Sequence, residues 1–400
     1  MKAASGASGP LAGIRVVDLT AMVSGPMATG VLADQGADVI KVEPPGTGDL
    51  IRQIGCSRGG LSAIFSTLNR NKRSIVLDLA QPRGLALLER LAAGADVFVQ
   101  NFRPGVAEHM GLGEAALRRI APDLVYVSIS GFGESGPYAQ RRVYDIVIQA
   151  LSGLAASQAD PETGEPDLVR NIVADKATAL VAAQAITAAL FARERGAGGQ
   201  HVRLAMLDAT IAFLWPDVMQ AQTYLGPGVT PPASLAGLLS VRRTADGYMT
   251  IFAVADPEFA GLCRALGRPE LARDERFRDA TGRFQHADVL ARMLDEATRA
   301  QKTASLCARL EAEDVPHAPV NRLESLHEDP QVVANALLVE LEHATAGRLR
   351  TPRPVAQFAA TPASLRRPAP SLGEHGAEVL RELGLAEPEI ESLRAERILG

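Results

Sequence analysis

The sequence predicts an α/β protein whose core is a largely parallel sheet. Short β-branched runs alternate with helical patterns from Gly13 onward, the loops between them are short, and after Trp215 the pattern changes to turns and short elements. Strands that alternate with helices in this way form βαβ units, which build parallel sheets. A smaller α+β domain follows from the changed pattern.

In order, the first half reads IRVVDLT, MATGVLADQ, ADVIKVE, SIVLDL, GLALLERLAAG, DVFVQNF, EAALRRI and LVYVSIS, so that strand, helix and strand repeat four times. Ligands of such sheets bind at the carboxyl ends of the strands. Four segments sit there. In Ala21 to Gly30, AMVSGPMATG, Ser24 is placed to cap a helix, Gly25 keeps the backbone approachable and Pro26 suits the first helical position. This is either an anion site at a helix N-terminus or an ordinary helix start, and with no GxGxxG it does not read as a dinucleotide site. In Asn69 to Ala80, Arg70, Lys72 and Arg73 are either a phosphate-binding cluster or a solvated charge run. Gln100 to Gly105 ends a strand with an Asn, an aromatic and an Arg, a trio able to stack on and hydrogen-bond a nucleobase. Gly131, Gly133, Gly136 and Pro137 form a loop followed by Arg141, Arg142 and Tyr144, the kind of segment that carries function.

Val169 to Trp215 begins with Asp175, continues as an Ala-rich helix to about Arg195, turns at Gly196, Gly198 and Gly199, and ends in a strand-like run. By position alone Asp175 is a capping residue, worth roughly 0.5–2 kcal/mol. Beyond it, Gly226 to Gly237 reads as a Pro/Gly linker and Arg242 to Ala253 as a hairpin turning at Ala245-Asp246-Gly247. Asp256-Pro257 opens a helix through Leu266, helical segments run to Glu313, and Ala318 to Val320 forms a strand. Asp329-Pro330 starts another helix, Thr351 to Pro370 is Pro-rich like a tether, and Ser371 with Glu374 makes a capping box. The expected organisation is a large domain over 1–215, a linker over 216–234, a small domain over 235–325, a second linker over 326–368 and a terminal segment over 369–400.

A net charge of −5 gives no electrostatic case for nucleic acid or an anionic membrane as partner. Three cysteines without CxxC spacing indicate neither disulfides nor a zinc site, and no metal is expected. A cytoplasmic location fits that usage. The N-terminal stretch lacks an apolar signal core, and no uninterrupted apolar run is long enough for a membrane span.

Together the segments LAGIRVVDLT, GADVIKVEPPGTGD, NKRSIVLDL, NFRPG, SISGFGESGPY, YDIVIQALSG, the Asp175 helix, GGQHVRLAMLDA and LGEHGAEVLRELGL resemble the class III CoA-transferase family. The resemblance runs over nearly the whole chain and implies a Rossmann-like large domain and a small domain joined by long linkers into a ring that interlocks with a second subunit. It places the nucleophilic carboxylate on Asp175. It places CoA contacts on Val23, Ser24, Leu77, Asp78, Leu79, Ala80, Asn101, Phe102, Arg103, Arg142, Val143, Tyr144 and Asp145, with His109 where the formyl-CoA subgroup has Arg. Coenzyme A enters as substrate, in acyl-CoA, with small carboxylic acids as partners and no resident cofactor. Exchange between thioesters of similar energy needs only a covalent relay, for which the helix start is expected to keep Asp175 ionised and the Gly131 to Gly136 loop to stabilise the oxyanion. Ala233-Ser234-Leu235-Ala236-Gly237 departs from the glycine run of formyl-CoA transferases, and Glu43-Pro44-Pro45 from a basic residue. The fold also hosts α-methylacyl-CoA racemases, whose catalytic His falls on Tyr144, a poor base at its usual pKa of about 10. A third reading, a non-catalytic CoA-binding protein, predicts loss of the nucleophile.

Overall fold

The computed structural model describes residues 8–160, 163–229 and 240–400, in two units: Met1–Val218 with Ala336–Gly400, and Met219–Asn335. In the first unit β1 (Arg15–Leu19), β2 (Asp38–Glu43), β3 (Arg73–Val76), β4 (Val97–Gln100), β5 (Val125–Ser130) and β6 (His201–Ala205) form one sheet in the order β3-β2-β1-β4-β5-β6. Every pairing in it is parallel. The order reverses between β1 and β4, whose ends align at Leu19 and Gln100. Such a switch point leaves a crevice beyond the strand ends, where ligands of these sheets bind.

Both faces of the sheet are covered, which is why its strands read as continuous apolar runs. Val16, Val39, Val97 and Val127 face α1 (Ser24–Asp34) and α5 (Val173–Ala192), where Ala28, Leu32, Ala179, Ala182 and Ile186 meet them. Val17, Ile40, Ile75, Phe98 and Tyr126 face α2 (Pro82–Ala93) and α3 (Glu114–Ile120), and also the late helices α7 (Gly376–Glu382) and α8 (Glu387–Ala395). Between these lie α4 (Asp145–Leu151) and α6 (Met206–Val218). The alanines of α5 leave room for close packing on α1, and the helix ends in a widened turn over Arg193–Ala197, with Gly196 at φ 90°. Continued to Ala197, this helix is long and apolar enough to cross a membrane by length and composition. Here its alanine face is part of the core.

The second unit holds a three-stranded sheet of Arg242–Arg243, Tyr248–Ile251 and His317–Pro319, antiparallel throughout. Helices Asp256–Ala265, Ala287–Arg299 and Thr303–Ala312 contribute Phe259, Leu262, Leu290, Leu294, Leu306 and Leu310 to its core. Asp246, in the hairpin turn, accepts from the Thr303 N–H (2.8 Å).

Two expectations need correction. The span 326–368 is not a bare linker: β7 (Leu338–His343) and β8 (Gly347–Pro352) pair antiparallel, and Ala346 and Leu349 pack with Val23, Ile51, Leu61 and Phe65. Alternating apolar and polar residues in LVELEH explain the strand. The capping box is only half formed, since Glu374 accepts from the Ser371 N–H (2.7 Å) but α7 begins five residues after Ser371 with His375 as its flanking residue. The segment Ala233 to Gly237 and most of the expected 226–237 linker lie outside the described residues.

Candidate active site

The turn from β1 into α1 is held by three side chains. Lys41 Nζ donates to the Thr20 carbonyl (2.8 Å). Asn101 at the end of β4 accepts from the Ala21 N–H (3.0 Å) and donates to the Ala21 carbonyl (2.8 Å), and Asp49 accepts from the Met22 N–H (3.0 Å). These bonds hold Met22 at φ 68°, a left-handed conformation that disfavours L side chains. Gly25 allows the tight approach, because a Cβ there would lie 2.4 Å from the Thr20 side chain. Ser24 is consequently the first residue of α1 rather than its cap, Val23 is the flanking residue without a side-chain cap bond, and Pro26 is the third helical residue.

The turn aims Ser24 at Asp175. The hydroxyl and backbone N–H of Ser24 favour the charged form of the Asp175 carboxylate, which stands in the first turn of α5. From the other side Asp145, at the start of α4, accepts from the Asp175 backbone N–H (2.9 Å). Asp145 is 4% exposed, and its other oxygen accepts from Gln149 Nε2 (2.5 Å). Burial first, then the Asp145 charge, push Asp175 up from 3.8 to about 6, against the opposing influence of Ser24. This corrects the expectation that the helix start dominates: a macrodipole worth about 0.3–1 kcal/mol is smaller than the desolvation and like-charge terms at this position. Above pH 6 the group is still mostly the carboxylate that a nucleophile needs.

The cations of the Asn69 to Ala80 segment are neither phosphate ligands nor a solvated run. Lys72, fully buried, donates to Asp18 (2.9 Å), Asn69, Thr29 and the Pro26 carbonyl (each 2.8 Å). Arg70 pairs with Asp34 (2.6 Å), and Arg73 with Asp38 (2.6 Å), Glu378 (2.9 Å) and Glu382 (2.6 Å). Burial opposes the Asp18 charge, but Lys72, Lys41, Thr20 and Thr29 outweigh it and hold the carboxyl below its usual range. Lys41 also pairs with Asp49 (2.9 Å), so the same cluster braces the Met22 turn. Glu43 is turned inward to Arg52 (2.7 Å) and Ser74 (2.7 Å), which gives its departure from the family pattern a structural role.

The other expected contacts separate into groups. Val143 packs with Ile148, Ala174, Met206 and Phe132 beside Asp175, and fills the space a Cβ on Gly131 would need, 2.5 Å from Val143 Cγ1. Arg142 and Tyr144, on either side of Val143 in the chain, are exposed. Asn101 is spent on Ala21, not on a base. Phe102 and Arg103 line a cleft of about 770 Å³ beyond β4, β5 and β6, together with Arg119, Ser128, His201 and Asp208. Asp175, Ser24 and His109 are not part of that lining, and His109 is exposed at the end of the Val106–His109 turn. Leu77 is buried and bridges to Leu399. Asp78 accepts from the Ala80 N–H (3.1 Å) and Gln81 (2.8 Å), while Leu79 packs on the core. In the glycine loop the Gly133 N–H is taken by Ser130 Oγ (3.0 Å), which removes one donor expected for the oxyanion. Among the described residues no cluster of His, Cys, Asp and Glu suits a metal ion. Sequence reasoning did not find the influence of Ser24 on Asp175 or the role of Gln149, because no local pattern reports a meeting of separate βα turns.

The sequence model of CoA-transferase family III matches residues 11–376. A succinate–glutarate CoA-transferase of Agrobacterium fabrum is 40% identical over 392 residues, covering 94% of this chain and 96% of that protein. A succinyl-CoA:glutarate CoA-transferase of mouse is 35% identical over 378 residues, covering 94% and 86%. The crystal structure of a CAIB/BAIF family protein from Brucella suis superposes with a TM-score of 0.81 at 35% identity, covering 94% of this chain and all of that one.

Proposed function

Since this chain belongs to CoA-transferase family III and is a CoA-transferase acting on acyl-CoA and carboxylates, we propose that Asp175 is its covalent relay and that its acids are short dicarboxylates of the succinate and glutarate type. The observation that carries the first part is the Asp175 carboxylate in the first turn of α5, its backbone N–H held by Asp145 (2.9 Å) and its charged form favoured by Ser24. The second part rests on what the relatives from Agrobacterium and mouse are called.

A carboxylate oxygen of Asp175 attacks the donor thioester carbonyl, the C–S bond breaks, and a mixed anhydride forms as CoA thiolate departs. The thiolate then attacks the aspartyl carbonyl, the anhydride C–O bond breaks and the donor acid leaves, so that the enzyme carries CoA as an aspartyl thioester. The acceptor carboxylate repeats these two steps in reverse. No proton, oxidant or ATP is consumed, which suits a site whose only reacting protein group is one carboxylate. In the two additions to the aspartyl carbonyl, by thiolate on the anhydride and by the acceptor on the aspartyl thioester, the Ser24 hydroxyl and N–H that favour negative charge on Asp175 supply oxyanion stabilisation.

Asp175 at about 6 also suits a proton carrier, which keeps racemisation of a 2-methylacyl-CoA as the second reading, with Tyr144 standing where the partner base is needed. One experiment separates the two. Enzyme is incubated with succinyl-CoA and glutarate in deuterated water, beside Asp175→Ala, and products and protein are weighed. Glutaryl-CoA from the wild type alone, with CoA mass on the peptide holding Asp175, is the expected result; deuterium at the α-carbon of a supplied 2-methylacyl-CoA without exchange of acids overturns it.

The expected interlocked homodimer is part of the same proposal. Phe191 on α5 is 65% exposed and Phe213 on α6 59%, and with Leu180 and Trp215 they leave an apolar surface that a partner subunit would cover. Light scattering that reports a monomer at micromolar concentration would refute it.

A further inference from the structure

The first turn of α5 is fixed from below by two residues of α4 whose side chains are spent entirely on that task. Asp145 accepts the Asp175 N–H (2.9 Å) and Gln149 Nε2 (2.5 Å). Gln149 in turn donates to the carbonyls of Val169 (3.2 Å) and Asn171 (3.0 Å) and accepts from the Val169 N–H (3.0 Å). Spaced one helical turn apart, the two side chains stand on one face of α4. They grip the extended segment that leads into α5 and the residue that carries the reacting carboxylate. Gln149 is 1% exposed, so its bonds have no competition from water.

We propose that Asp145 and Gln149 form a positioning clamp for the nucleophile and that Asp145, rather than contacting CoA, sets the acidity at which the enzyme works. This rests on Asp175 being the nucleophile. A capping carboxylate that faces another carboxylate is an unusual choice, because a neutral Ser or Asn would satisfy the same N–H. What the charged residue adds is repulsion, which raises the nucleophilicity of Asp175 by holding its affinity for electrophiles, proton included, above that of an isolated aspartate.

The other charged groups on elements packed around α5 are engaged elsewhere. Lys176, next along the helix, donates to Asn171 Oδ1 (2.7 Å). Asp34 at the far end of α1 takes Arg70, Arg203 on β6 takes Glu134 (2.8 Å), His201 meets Ser128 Oγ (2.7 Å), and Asp208 on α6 lines the cleft. Among the described residues Asp145 is the one charged group that acts on Asp175.

The test is the pH dependence of kcat/KM in wild type, Asp145→Asn, Gln149→Leu and Asp175→Ala, with thermal melting as the folding control. In Asp145→Asn the acid limb, expected near pH 6 in the wild type, moves down by about one unit. Its kcat falls by roughly tenfold, and KM for acyl-CoA stays within about threefold. Gln149→Leu keeps the limb and loses several-fold in kcat, and it serves if the first variant does not fold. An unmoved limb in folded Asp145→Asn, or a tenfold rise in its KM for acyl-CoA with kcat intact, overturns the clamp. Transfer that survives in Asp175→Ala overturns the nucleophile instead, so the two failures are told apart.

Discussion

Asp18 and Asp175 are two carboxylates drawn into the same α/β unit, and they are treated in opposite ways. Asp18, at 0% exposure, is surrounded by Lys72, Lys41, Thr20 and Thr29 and held firmly ionised. Asp175 has its charged form favoured by Ser24, but its charged neighbour is another carboxylate. The difference teaches how to separate scaffold from chemistry in this molecule. A buried charge matched by opposite charges is finished within the protein, whereas one left facing a like charge keeps an interaction open for something the protein binds.

The comparison breaks first at Asp175 itself. Asp175→Ala is expected to lower CoA transfer on the order of 10³-fold or more, measured as turnover of succinyl-CoA with glutarate, while leaving the melting temperature unharmed. Lys72→Met is its mirror: it strands Asp18 and should remove about 3–5 kcal/mol of stability in denaturant titration, with part of the loss returned by Asp18→Leu in the same chain. A Lys72→Met protein as stable as wild type would mean that the cluster is not what holds the β1–α1 turn.

Asp175→Asn sharpens the contrast through pH. A folded pKa of about 6 against 3.8 for the free group means that the folded state binds the proton more tightly. The group therefore favours folding below about pH 4 and loses that contribution as pH rises through 6. Asp175→Asn should melt higher than wild type at pH 8 and together with it at pH 4; equal melting at both would show that Asp175 is not strained. Smaller still is Asn101→Ala, which frees Ala21 and should lower kcat by about tenfold while costing roughly 1–3 kcal/mol of stability. Least of all, His109→Ala should change KM for acyl-CoA by less than about twofold, as expected of an exposed side chain outside the cleft, and a tenfold rise would return His109 to the CoA site.

The sheet was legible because its strands are buried on both faces and so appear as unbroken β-branched runs, and Asp175 stood out as an acid before a long alanine-rich helix. Its neighbours were not legible. Ser24 and Asp145 reach Asp175 from separate turns of the chain, and nothing in either local pattern announces the meeting. Arg70, Lys72 and Arg73 look like a surface charge run because their acids, Asp34, Asp18 and Asp38, lie in three earlier elements, α1, β1 and β2. The hairpin of β7 and β8 did leave a signal, the alternation of LVELEH, but the proline content just beyond it dominates the reading.

The joining of β3 to the late helices has a consequence for how the protein is made. The Ser74 N–H meets His375 Nδ1 301 positions further along the chain, and Leu399 bridges to Leu77. At about 5–20 residues per second a ribosome needs roughly 15–60 s to travel that distance. Through that interval the nascent sheet waits with one edge unpaired and Ile75, Leu77 and Leu88 uncovered, a surface suited to a chaperone or to a wrong neighbour. Assembly of the first domain begun on the ribosome thus closes only when the far end of the chain returns to it.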